Sequence, residues 1–251
     1  MVQPKRGMRV LISLLCVWAA VTALAKSESV STATLVRNDN EQSVRVGDSK
    51  GGIQLLRQLE KVYGPAKTIK GRFVQTTVDK TFGEKIESKG SFAINKPNKL
   101  RVDYDPPYSS VLLVTEGFSY RYIPELKQVE RYRINAENPI VQTNYMMLGF
   151  GARTEDVLQA YEVKRIEKST RGGETAGIRL TPRNPDVAAF KTIDIYVDEK
   201  EGIPLEFVVL QMDGNEIVAR IVRESLQVDQ PLDERLFKPV FPKDAQIVDI
   251  R

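Results

Sequence analysis

From residue 69 onward the chain alternates apolar and polar positions in short runs, the period-two pattern of half-buried strands. The first runs fall at 69–78, 84–94, 99–104, 109–115, 118–123 and 127–132. Their separators, "KTFG", "KPN", "DPPY", "EG" and "PEL", are short and rich in turn formers, which predicts antiparallel neighbours. In "FSYRYI", Phe118, Tyr120 and Tyr122 share one face. After a break, five more runs follow at 160–168, 175–182, 191–198, 203–211 and 216–228. Asp213-Gly214 between the last two is a strong hairpin signal. A final extended piece covers 246–250.

Helical spacing interrupts the strands. Asp48 or Ser49 caps a helix in which Ile53, Leu56, Leu59 and Tyr63 form an apolar stripe, widened by Leu55 and Val62 and stopped by Gly64-Pro65. "NPIVQTNYMMLGFGARTEDVLQAY" also reads as helical. Pro139 suits a first turn, Ile140, Met146, Met147, Leu148 and Phe150 are apolar, and Thr154 starts a short second helix carrying Val157 and Leu158. "LDERLF" supplies one more turn of helix. The fold class is therefore mainly β with helices (α+β): about eleven antiparallel strands, with a few helices over one face. Such a sheet is wide enough to curl.

A curled sheet has a concave face, and helices lying loosely over it leave a cavity. Strand alternation selects Phe92, Ile94, Val102, Tyr104, Leu113, Tyr120 and Tyr122 as the inward set. Met146, Met147 and Leu148 of the middle helix suit a soft lid over an apolar ligand, because Met adapts to irregular surfaces. Ordinary core packing explains the same residues more simply. A slip of one position in register would turn each strand's set to the other face.

The first 25 residues are an address. Lys5, Arg6 and Arg9 precede the apolar run "VLISLLCVWAAVTALA", which ends in Ala23-Leu24-Ala25, a secretory signal pattern. Leu15 before Cys16 is too large for a lipid-attachment motif. The domain plan is a cleaved signal peptide at 1–25, a flexible polar leader at 26–49 and one folded domain at 50–251. Cleavage removes three positive charges, so net charge falls from +4 to +1 and the basic balance of the whole chain is no nucleic-acid signal. It also removes the one Cys and the one Trp.

The chain has no His. That excludes His-based triads, His-containing zinc sites and the usual neutral-pH proton shuttle. Asp103 with Asp105, and Asp194 with Asp198, are the carboxylates at strand spacing, but acidic residues on an outer strand face are ordinarily solvated. No catalytic residue, metal site or cofactor is expected.

One stretch carries a resemblance. "GSFAINKPNKLRVDYDPP", then "LLVTEG", then "YIPELKQVERY", with "GRFVQT" before and "FKPVFPKDAQIVD" after, is similar to the LolA family of periplasmic outer-membrane lipoprotein carriers. The likeness runs over about residues 50–250. It implies an incomplete antiparallel barrel of eleven strands with a helical lid over an apolar cavity. It further implies a monomer in the periplasm of a Gram-negative bacterium that shields acylated lipoproteins. These would come from an inner-membrane lipoprotein-releasing ABC transporter and pass to an outer-membrane lipoprotein acceptor. The family places Arg before the Pro of the "NKPN" turn, and Lys96 stands there in this chain. If that Arg holds the lid through helix-end carbonyls, Lys96 is the corresponding latch, with fewer bonds to offer. Arg101 is the neighbouring candidate for the same role. The alternatives are a lipid-binding sensor or regulator on the same half-barrel, a carrier of other lipids, and a carboxylate enzyme.

Overall fold

Of the two candidate caps, Asp48 is the one that caps the first helix: its carboxylate accepts from the Gly51 backbone N–H at 2.6 Å, and Ser49 is the first helical residue. In the computed structural model, which describes residues 44–134, 149–170, 173–188 and 190–250, this helix is α1, Ser49–Tyr63. A second helix, α2, spans Thr154–Ala160. The strands are β1 Val44–Val46, β2 Thr68–Val78, β3 Lys85–Asn95, β4 Lys99–Tyr104, β5 Ser110–Thr115, β6 Phe118–Ile123 and β7 Gln128–Arg133. After α2 come β8 Tyr161–Thr170, β9 Gly173–Pro182, β10 Phe190–Asp198, β11 Ile203–Gln211, β12 Glu216–Val228 and β13 Gln246–Ile250.

All thirteen belong to one sheet, ordered β1-β8-β9-β10-β11-β12-β2-β3-β4-β5-β6-β7-β13. The eleven predicted strands are β2 to β12. Two edges were not counted among them. Residues 44–46, placed in the leader, pair antiparallel with 166–168 of β8. The extended piece 246–250 joins as β13, parallel to β7, the one parallel pairing among the described residues. The sheet does not close, so the architecture is an incomplete β-barrel with a helical lid.

The core lies on the face that α1 covers. Leu55, Leu56, Leu59 and Tyr63 of α1 are buried there with Ile69, Phe73, Phe92, Ile94, Leu100, Val102, Ile178, Ile195 and Phe207 from the strands. Two glycines make room for rings across the strand pair. Gly71 lies opposite Phe92 and Gly90 opposite Phe73, and a Cβ at either would meet the facing ring at 3.0 and 2.8 Å. Phe150 packs between strands three steps apart in the sheet: its ring lies 5.3 Å from that of Phe92 on β3 and 6.2 Å from that of Phe207 on β11.

A smaller apolar cluster sits on the opposite face. Leu113, Tyr120, Val129 and Phe237 are buried there, with Tyr122 and Phe241 packed against them. The segment leading into β13 covers them. Phe237 ends a 3-10 turn, Glu234–Phe237, and the Phe241 ring lies 5.7 Å from Tyr120 and 5.8 Å from Tyr122.

Candidate functional site

Cross-strand register decides which of the expected inward residues face the interior. Phe92 pairs with Val102, and Ile94 with Leu100, and all four are buried against α1's face of the sheet. Tyr104 continues that row: its ring meets Phe73 edge-on at 5.3 Å and its hydroxyl donates to Gln75 Oε1 at 2.9 Å. Phe92, Ile94, Val102 and Tyr104 therefore line the interior. Leu113, Tyr120 and Tyr122 do not. Val102 pairs with Leu112 and Leu100 with Val114, so Leu112 and Val114 point inward and Leu113 is turned to the other face. Tyr120 pairs with Leu113, and Tyr122 follows it there. The alternation of "FSYRYI" is as expected, but its aromatic side is the outer one. Met146, Met147 and Leu148 lie outside the described residues.

Turning the tyrosines outward brings polar residues in. Ser119, Arg121, Glu130 and Tyr132 occupy the interior positions of β6 and β7, with Arg121 and Glu130 3.9 Å apart and nearly buried. Nothing in the sequence marks them, because a charged residue in a strand reads as solvated. Gln75 is the other omission. It belongs to the "FVQ" motif and bonds to the Tyr of "VDY" inside the barrel.

The Lys96 corner sits at the end of α1. The turn at 96–98 links β3 to β4 and carries a cis Lys96–Pro97 bond. The Lys96 ammonium donates to the Tyr63 carbonyl in the last turn of α1. Helix-end carbonyls lack intrahelical partners and carry the negative end of the dipole, so a cation is well placed there. Half-burial holds the Lys96 pKa below the usual lysine range, and Asp229 pulls it partly back. Arg101, by contrast, faces the outer side. It forms two bonds to Asp103, each 2.7 Å, and one to the Leu236 carbonyl at 3.1 Å. It does not reach the lid, because strand alternation turns it away from the face holding Leu100 and Val102.

Beside this corner opens a groove of about 500 Å³. Val62, Tyr63, Ile203, Leu226 and Val228 form its apolar walls, and Glu201 and Arg223 stand at its rim. Arg223 is bound to Asp198 at 3.0 Å and to Glu201. The carboxylates singled out in the sequence are all engaged by arginines: Asp103 by Arg101, Asp105 by Arg72, Asp194 by Arg179 and Asp198 by Arg223. Among the described residues no group of three or more His, Cys, Asp or Glu is arranged to hold a metal ion.

Burial pushes the Tyr63 hydroxyl up to about 12, and Glu201 adds to the effect. A raised folded-state pKa gives stability that is complete below the unfolded value near 10 and is lost as pH rises toward 12. Replacing Tyr63 by Phe should flatten the fall in unfolding free energy over that window by ~1.4 kcal/mol per pH unit. Urea titrations at pH 10, 10.5 and 11 measure the slope inside that window, and equal slopes for the two proteins would refute the assignment.

The profile described as "Outer membrane lipoprotein carrier protein LolA" matches residues 65–240. Proteins named outer-membrane lipoprotein carrier protein are similar over most of their length. The one from Nitrosomonas europaea is 24% identical, over 77% of this chain and 88% of that protein. The one from Bordetella avium is 25% identical, over 76% of this chain and 85% of that protein. The crystal structure of a LolA superfamily protein from Nitrosomonas europaea aligns at 10% identity, covering 74% of this chain and 97% of that one, with a TM-score of 0.41. The profile match spans well over half of the sequence, and the chain belongs to the LolA family of outer-membrane lipoprotein carrier proteins.

Proposed function

We propose that this protein is a periplasmic carrier that shields the acyl chains of lipoproteins and moves them from the inner to the outer membrane. It takes them from a lipoprotein-releasing ABC transporter and passes them to an outer-membrane acceptor. The reading rests on one observation above others: in a chain of this family, the apolar face of an open barrel meets an apolar-walled groove beside the end of its covering helix.

Magnitudes set the terms of such a carrier. Burying a chain of about 15 methylenes yields roughly 12 kcal/mol, and three chains simply added would exceed the practical ceiling of roughly 21 kcal/mol. A carrier must also release, so part of that energy has to be offset. At ~30 Å³ for each methylene-sized unit, the groove's volume is of the order of one such chain and too small for three. Further chains need the interior, where Phe150 stands between Tyr63, Phe92 and Phe207. Displacing Phe150 and breaking the Lys96–Tyr63 bond are the two costs the empty protein sets against binding.

Replacing Lys96 by Leu should therefore favour the loaded form. The lost charged hydrogen bond is worth ~1.5 kcal/mol, which converts to cargo held about tenfold tighter and handed over correspondingly more slowly. The empty protein should lose about the same ~1.5 kcal/mol of global stability, because that figure is already net of the ammonium's desolvation. The assay is release of a radiolabelled lipoprotein from inner-membrane vesicles, followed by its transfer to outer-membrane vesicles. Failure of the unmodified protein to extract any lipoprotein would overturn the carrier reading, and lipid retained without extraction would favour a sensor. Transfer by the Lys96→Leu protein at the normal rate would overturn the latch alone.

A further inference from the structure

The interior face of the sheet changes character as it passes from β5 to β6. Register draws two rows across it. Val102 is followed by Leu112, Arg121 and Glu130, and Leu100 by Val114, Ser119 and Tyr132. The first two members of each row are apolar and the last two are polar. Arg121 stands two strands from Val102, ~10 Å away.

The polar wall is buried. Ser119 is 1% exposed, and the side chains of Arg121 and Glu130 are 12% and 11% exposed. At 3.9 Å the last two form an ion pair, neutral as a whole. Glu130 also takes a hydrogen bond from the Tyr132 hydroxyl. Ser119 Oγ has no hydrogen-bond partner among the described residues. Stability does not account for this arrangement. Apolar residues of like volume often serve as well as a buried ion pair, and a buried hydroxyl without a partner is a net cost that Ala would avoid.

An acyl chain brings what the wall lacks. It ends in an ester or amide carbonyl, which gives up its water on entering the barrel and then needs a donor. The Ser119 hydroxyl is one, and a guanidinium carries five N–H groups, more than a single carboxylate engages. Because Glu130 stands beside Arg121, the wall offers no net charge to attract a phosphate. It suits a neutral head rich in acceptors.

We propose that Ser119 and Arg121, with Glu130 beside them, form the subsite for the ester and amide carbonyls of an acylated ligand, while its hydrocarbon tails lie against the apolar strands. The subsite rests on the carrier reading and deepens it, since it names the part of the lipid that the interior recognises. Lipids joined through acyl links and lacking a phosphate are the class it selects.

The test is equilibrium binding of two synthetic lipopeptides. One carries two ester-linked palmitoyl chains and one amide-linked chain, and the other has ether links in place of the esters. The unmodified protein should prefer the ester form about fiftyfold, the product of one neutral hydrogen bond and one to a charged group. Ser119→Ala should cut the preference to about tenfold. Arg121→Met with Glu130→Leu, which removes both charges together, should cut it to about fivefold. Dipalmitoyl phosphatidylglycerol should compete more weakly than the ester lipopeptide. The unfolding temperature of empty Ser119→Ala should not fall, because no bond within the protein is lost. A fall would mean that the hydroxyl is bonded inside the fold, and would remove it from the subsite. Equal binding of the two lipopeptides, or an unaltered preference in Ser119→Ala, overturns the proposal and leaves the carrier reading standing. Stronger competition by phosphatidylglycerol overturns the neutral class. Binding of neither lipopeptide by the unmodified protein overturns the carrier reading and the subsite with it.

Discussion

Replacing Phe150 by Ala is expected to cost the empty protein about 3–5 kcal/mol of stability, in the range of large aromatic deletions from a core. The ring is 1% exposed, meets Tyr63 edge-on at 5.3 Å, stacks on Phe92 at 5.3 Å and leans on Phe207 at 6.2 Å. No polar group compensates for its loss, so the site would be left as an apolar void. The informative measurement compares empty and lipid-loaded protein. If cargo displaces the ring, the loaded form has already lost these contacts, and Phe150→Ala should destabilise it far less. Lipid affinity should then rise by the difference. Equal destabilisation of both forms, in urea titrations with and without bound lipid, would mean that the ring stays in place during carriage.

Gly151→Ala should cost about 3 kcal/mol, through two separable terms. The residue has φ +81°, where an L side chain is strained by ~1–2 kcal/mol. Its Cβ would also stand 2.7 Å from the Gly64 nitrogen and the Tyr63 carbonyl carbon, backbone atoms at the end of α1 that can yield only by moving the helix. Gly83→Ala is the control: φ is +69° there and nothing lies within 4 Å, so only the strain term applies. The gap between the two variants, read as the difference in urea midpoint at constant slope, isolates the close approach. Variants of equal stability would show that the contact with α1 carries no energy.

Both predictions concern "GFG", which the sequence presents as two glycines punctuating an apolar helix. Its role depends on contacts distant along the chain. A Cβ on Gly149 would meet the Phe207 ring at 2.5 Å, and one on Gly151 would meet Gly64. The pair lets the backbone pass close to β11 and to α1, so that Phe150 can enter between them. Lys96 is a partly legible case. The turn and its charge are plain in "NKPN", and the resemblance suggested a helix-end carbonyl, but that the carbonyl is Tyr63's follows from how α1 lies on the sheet. For Arg101, two residues from Asp103 on the same strand face, the nearer carboxylate is the natural partner.

The sequence by itself determined the eleven strands β2 to β12, where α1 starts and the turns, because these follow from short-range chemistry: period-two alternation, a capping side chain before the first apolar turn, and glycine or proline where the chain must reverse. It also determined that each strand has two unlike faces. Which face became the interior was settled by tertiary structure alone. Leu112 rather than Leu113, and Arg121 rather than Tyr120, point inward because register is transmitted strand by strand from the α1-covered half of the sheet. The terminal segment before β13 supplies a second apolar cover that lets Leu113, Tyr120 and Tyr122 be buried on the outside. Alternation is symmetric between the two faces of a strand, and only packing against a helix or a returning tail breaks that symmetry.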